Sequence, residues 1–258
     1  MLWLVKLAAT LALVWAAGWT MRRYGGLVAG MLVGFPVVTA PVAFFMALEQ
    51  GQAFGASSAA AICFALSGVS AFAIVYGLIA RSRSWPAALA GAIAAYFLVS
   101  GIAVHLGDEP LIATLWTLGI VAFGLWLAGH PAAPPAAFVA PWWDIWLRLA
   151  ITALIVLAVT AAADRLGPRL SAIPATYPAI TSVITPFVHA RNGEAAAAAI
   201  LRGVLLSHVA FALLFLVVGA TVGSLGVPLA YALATAVSLA ASALVVSIDR
   251  RHEAHPRP

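Results

Sequence analysis

Pro36, Thr39 and Pro41 lie in an otherwise apolar stretch, GFPVVTAPVAFFMALEQG, residues 34–51. The first two return as Pro178 and Thr181 in TYPAITSVITPFVHARNG, residues 176–193, with Pro186 further along. A proline inside a helix removes a backbone donor and clashes with the carbonyl one turn earlier, so helices through these positions are expected to kink or unwind. In hydrocarbon the freed carbonyls must face protein or a water-filled cavity. These six residues therefore predict a polar cavity that binds a solute rather than a centre for covalent chemistry. The competing reading is a pair of structural kinks, with Thr39 and Thr181 capping the freed carbonyls.

Two further residues carry charge or protons into apolar sequence. Arg202 stands about 10 Å into its expected span and His208 near the middle, at 1.5 Å of rise per residue. A cation at that depth faces a cavity or a partner, so Arg202 is a candidate for attracting an anionic solute and His208 for a protonatable switch. Against this, Arg202 can snorkel to the interface and His208 can hydrogen-bond in a packed core.

Other chemistries find little support. His105, Asp108 and Glu109 have a metal-like spacing but lack a second histidine, and no metal or other cofactor is expected. There is no phosphate-binding Gly-rich loop, no zincin motif and no nucleophile elbow, so the chain is not expected to be an enzyme. No acidic residue falls in the middle of a span, which disfavours the buried-carboxylate mechanism of cation/proton exchange. An anionic or neutral solute fits better. The lone Cys63 excludes a disulfide within the chain.

The elements that position these residues follow from composition. The chain has 258 residues, 64% hydrophobic and 8% charged, with a mean hydropathy of +1.08. No water-soluble domain of this size carries such a surface. Apolar runs of about 20 residues recur throughout, so an all-α polytopic membrane protein is expected. Nine spans are read, at 2–20, 24–48, 53–80, 85–104, 110–129, 143–164, 167–190, 195–222 and 226–248. The net charge of +5 is assigned to orientation rather than to nucleic acid.

The match between the two proline stretches is part of a longer duplication without gaps. At an offset of 178 − 36 = 142, Lys6 meets Arg148, Thr10 meets Thr152, Arg23 meets Arg165, Phe45 meets Phe187 and Gly51 meets Gly193. With four spans in each copy and one connecting span, the second copy is inverted in the membrane. The expected division is repeat one at 1–104, a connector and hinge at 105–142, and repeat two at 143–258. Gly25, Gly26, Gly30 and Gly34 form a small-residue stripe in the second span, assigned to close helix packing.

With the N-terminus outside and the C-terminus cytoplasmic, Arg22, Arg23, Arg81, Arg83, Arg148, Arg191, Arg202, Arg250, Arg251 and Arg257 lie on or toward the cytoplasmic side. Only Lys6, Arg165 and Arg169 lie outside, a positive-inside bias.

This organisation resembles the inverted-repeat secondary carriers with crossed, broken helices, and residues 25–51 resemble uncharacterised bacterial inner-membrane proteins. The resemblance implies a permease that moves a small solute across the inner membrane by alternating access. Its partners would be membrane lipid and that solute, with a homo-oligomer left open. The alternative function is a membrane-embedded scaffold or subunit of a larger complex, in which the breaks serve packing.

Overall fold

The computed structural model describes residues 26–36, 39–103, 105–129, 144–163 and 176–254, with single positions and short runs between 12 and 24. All regular structure among them is helical: α1 (Gly26–Gly34), α2 (Thr39–Gln50), α3 (Gln52–Ala80), α4 (Trp85–Ala103), α5 (Pro110–Ala128), α6 (Asp144–Ala163), α7 (Ala179–Asn192), α8 (Glu194–Leu225) and α9 (Val227–Ala254).

Six stretches among the described residues are long and apolar enough to cross a membrane: Gly26–Gln50 taken through its interruption, Gln52–Ala80, Trp85–Ala103, Pro110–Ala128, Glu194–Leu225 and Val227–Val245. The chain is a membrane protein by that measure. Of the expected span at 2–20 only residues 12, 15, 16 and 18–20 are described, and they are helical; the hinge at 131–142 and residues 167–175 of the span at 167–190 lie outside the described residues. Over the sixth expected span, α6 is a helix of 20 residues.

Local chemistry explains the boundaries. Proline opens α5 at its first position, where its missing N–H would have had no partner. Gly51 and Gly193 separate α2 from α3 and α7 from α8, with φ of 91° and 82°, a region that only glycine enters without strain. Their N–H groups close the preceding helices by bonding to the carbonyls of Ala47 and His189, at 2.9 and 3.0 Å.

The centre of the molecule is the pair α3 and α8. In their most apolar windows 61% and 67% of the residues are buried, against 27–28% in the other four spans. They run antiparallel in a continuous register. Gly77 lies against Leu201, Ser70 bonds to His208, the Cys63 thiol reaches the Ala212 carbonyl, and Gly55 lies against Val222. α4 packs along α3 and α9 along α8, while α5 touches both central helices. Leu98, Trp126, Leu154 and Leu229 point outward, as lipid-facing side chains do.

The ends of the bundle differ in charge. Arg81 and Arg83 follow α3, Arg191 closes α7, and Glu194 opens α8 at one end. At the other, Glu49 lies in the last turn of α2, and Asp108 and Glu109 precede α5. α1 runs parallel to α8, with Gly26 beside Ala199 and Gly34 beside Ser207, so it starts at the basic end.

Candidate functional site

The second apolar stretch is interrupted where the sequence places Gly34 and Pro36. α1 ends at Gly34, Phe35 and Pro36 are non-helical, and α2 begins at Thr39. Pro36 still holds α2, because its carbonyl accepts the Ala40 N–H at 3.0 Å. The seventh stretch is non-helical from Thr176 to Pro178, and Pro178 is the N-cap of α7. Its carbonyl accepts the Ser182 N–H at 2.8 Å.

Both non-helical runs, 35–36 and 176–178, lie deep. Gly34 packs against Ser207, thirteen residues (207 − 194) beyond the start of α8, or roughly 20 Å at 1.5 Å per residue. α7 has 14 residues between its break and the basic end, roughly 21 Å by the same rise.

α1 and α7 both lie against α8. Ala29, Leu32 and Val33 of α1, Ile180, Ile184 and Val188 of α7, and Ala196 and Ile200 of α8 form one apolar cluster. The approach is close because glycine removes side chains from the α1–α8 seam. A Cβ on Gly30 would fall on the Ile200 backbone, and one on Gly203 would fall on the Leu27 carbonyl. The sequence stripe of Gly26, Gly30 and Gly34 thus serves packing, and Gly203 is its counterpart on α8.

The proline and threonine positions divide. Pro36, Pro178, Thr181 and Pro186 are buried, Thr39 is half-buried at the start of α2, and Pro41 is exposed in the first turn of α2. Pro186 sits inside α7, where it removes the bond that its N–H would have made to Ser182. Thr185, one turn beyond Thr181, is fully buried, and its hydroxyl has no hydrogen-bond partner among the described residues. Around the second break the Tyr96 and Thr176 hydroxyls lie 2.9 Å apart, and the Tyr96 and Tyr177 rings meet edge to face. Each break presents a helix N-terminus, of α2 or α7, whose first N–H groups carry partial positive charge.

Arg202 is elsewhere. At 100° per residue, Ile200, Gly203, Val204 and Ser207 form the α8 face that meets α1, and Arg202 falls on the opposite side. Its Nη1 donates to the Gly129 carbonyl at 2.6 Å, just past the end of α5. Arg81 joins it there, donating through Nη2 to the Leu127 carbonyl at 2.8 Å. Guanidinium groups at a helix C-terminus satisfy bare carbonyls and complement its negative end.

His208 belongs to the crossing of the central pair. It is 1% exposed, and its Nδ1 lies 2.8 Å from the Ser70 hydroxyl. A seam of small polar groups continues along α3, where Thr117 of α5 donates to the Cys63 carbonyl at 2.7 Å. The seam ties α3, α5 and α8 together through groups that the low-dielectric interior makes costly to leave unmade.

Sequence reasoning missed Ser70, Arg81, Ser207 and Tyr96. Only Arg81 had a signal, as a cation at the end of a span. The other three are ordinary in type, and their roles depend on which helix comes to face them. No group of three potential metal ligands converges among the described residues. Neither protein-family models, curated proteins nor solved structures match this chain.

Proposed function

We propose that the chain is a secondary carrier for a small anionic or neutral solute, built from two inverted repeats of four spans with a connecting span between them, nine in all. Several coincidences support the repeat. At the offset of 142, α2 maps on 181–192, α3 on 194–222 and α4 on 227–245, which match the starts of α8 and α9 and the end of α7. Gly51 and Gly193 share their backbone conformation. The contact of Gly68 with the Tyr96 backbone has its equivalent in Ser238 bonding to the Ala210 carbonyl at 3.0 Å. α2 touches α9 as α7 touches α4.

The observation that carries the transport reading is that non-helical runs at 35–36 and 176–178 lie deep in the bundle, before the starts of α2 and α7, with α1 and α7 sharing one apolar cluster on α8. Carriers use such breaks to place polar backbone and helix ends where a solute must be held away from water. The ends at these breaks include the N-termini of α2 and α7, which favour an anion or the electronegative atom of a neutral solute. Pro36, Pro178, Thr181 and Pro186 shape this region with Thr39, and Pro41 and His208 act on it at one remove. Arg202 contributes charge from the far face of α8. With the basic end cytoplasmic, the N-terminus is external and the C-terminus internal, in a bacterial inner membrane.

The test is solute uptake by the purified protein in liposomes, screened over small anions and neutral solutes. Saturable flux that falls at least about tenfold in Pro178→Ala and Thr181→Val is the expected result, a loss of about 1.4 kcal/mol or more. No flux for any solute, together with stable co-purification of another membrane protein, would overturn it in favour of a scaffold.

A further inference from the structure

Four polar residues of α7, Thr181, Thr185, His189 and Asn192, recur at helical spacing and share one face. At 100° per residue they fall within an arc of about 80°. The stripe starts three residues (181 − 178) after Pro178 and ends with the helix at the basic end. Its 11 residues (192 − 181) of rise cover roughly 17 Å. Beside it, Ile184 and Val188 pack with α1 and α8.

Two atoms on this face are buried without a hydrogen-bond partner among the described residues, the Thr185 hydroxyl and the Asn192 side-chain carbonyl. Thr185 is 0% exposed, and Thr181, one turn nearer the break, is also buried. Such atoms cost free energy in a low-dielectric interior, and they mark places where water or a ligand belongs. At the basic end the face meets α3, where the Tyr76 hydroxyl lies 3.2 Å from His189 Nδ1 and the two rings meet edge to face. Tyr76 itself is fully buried, in an apolar cluster with Ala197 and Leu201 of α8.

The first repeat has no such stripe. At the offset of 142 the equivalent residues of α2 are Thr39, Ala43, Ala47 and Gln50. Ala43 and Ala47 are buried in an apolar cluster with Phe215 and Val218 of α8, so hydrocarbon interrupts that face. A continuous polar face therefore belongs to one copy and leads from its break to one end of the bundle.

We infer that the α7 stripe lines the route by which the solute passes between the second break and the basic end, and that the Tyr76–His189 contact closes its mouth. The inference rests on the carrier reading and adds the path that the solute takes. Hydroxyl and amide groups at successive turns replace the water that a small anionic or neutral solute sheds on entry, and no acidic group of the stripe repels an anion. Separation of α7 from α3 opens the route and gives the Thr185 hydroxyl its partner.

The experiment is cysteine accessibility of the full chain in a Cys63→Ala background, with a membrane-impermeant anionic thiosulfonate in intact cells and inverted vesicles. Glu194→Cys marks the face that the basic end occupies. Thr185→Cys should react from that face only. Val183→Cys, which lies about 160° away around α7 and is 2% exposed, should stay unmodified. Tyr76→Phe removes one hydroxyl and should speed the Thr185→Cys reaction about three- to tenfold, the factor for one hydrogen bond. An inert Thr185→Cys, equal reaction from both faces, or a Val183→Cys that reacts as fast would overturn the route. A rate unchanged by Tyr76→Phe would overturn the closing contact. Labelling needs no solute, so the two readings fail separately: flux with an inert Thr185→Cys sinks the route alone, and one-sided labelling without flux sinks the carrier.

Discussion

The two sides of α8 solve opposite problems with the same helix. Toward α1, Gly203 meets Leu27 and Met31, Gly30 meets Ile200 and Gly34 meets Val204 and Ser207, and backbone touches backbone with no room for another carbon. Toward α5, Leu201 and Leu205 pack with Val121 in one apolar cluster, and a cleft of about 230 Å³ remains beside them and Arg202. A seam without side chains fixes an interrupted helix tightly, since van der Waals contact is the main attraction available between helices in lipid. A face of long side chains leaves space that another molecule can occupy. The difference assigns rigidity to the α1 side and vacancy to the α5 side.

Substitutions can break that contrast in order of effect. Gly203→Val should be the most damaging, because its added carbons collide with the Leu27 carbonyl and the Met31 amide. The expected loss is on the order of 3 kcal/mol, read as a large fall in melting temperature and in monodisperse yield from detergent. Arg202→Ala should cost less, about 1–3 kcal/mol, from leaving the Gly129 carbonyl without its charged donor. Arg202→Lys should recover part of this in the same assay, since an ammonium can reach a carbonyl but cannot present a planar fork. Gly119→Ala, in the exposed part of α5 where an added Cβ meets nothing, should raise stability by up to about 1 kcal/mol. A Gly203→Val protein as stable as the parent would erase the distinction between the two sides.

Much of this fold was legible because turn-forming residues bound the apolar runs. The stretches read at 53–80, 85–104 and 110–129 became Gln52–Ala80, Trp85–Ala103 and Pro110–Ala128. The interruption near Pro36 followed from its chemistry, and the stripe of Gly26, Gly30 and Gly34 from its spacing. What could not be read was which distant group would meet each polar side chain. Arg202 is a buried cation in any one-dimensional view, yet its observed acceptor is a carbonyl 73 positions away at the end of another helix. His208 finds Ser70 only because two antiparallel helices cross at that register. Pro41 has the same sequence character as Pro36 but sits exposed in the first turn of α2, where proline is easily accommodated.

The antiparallel relation of the two copies is most directly tested at Gln52 and Glu194, which are equivalent at the offset of 142, begin α3 and α8, and are both exposed. In a Cys63→Ala background, Gln52→Cys and Glu194→Cys would be treated with a membrane-impermeant maleimide in intact cells and in inverted vesicles. The account predicts labelling of position 52 only from outside and of position 194 only from the cytoplasmic side. Labelling of both positions from the same side would contradict it.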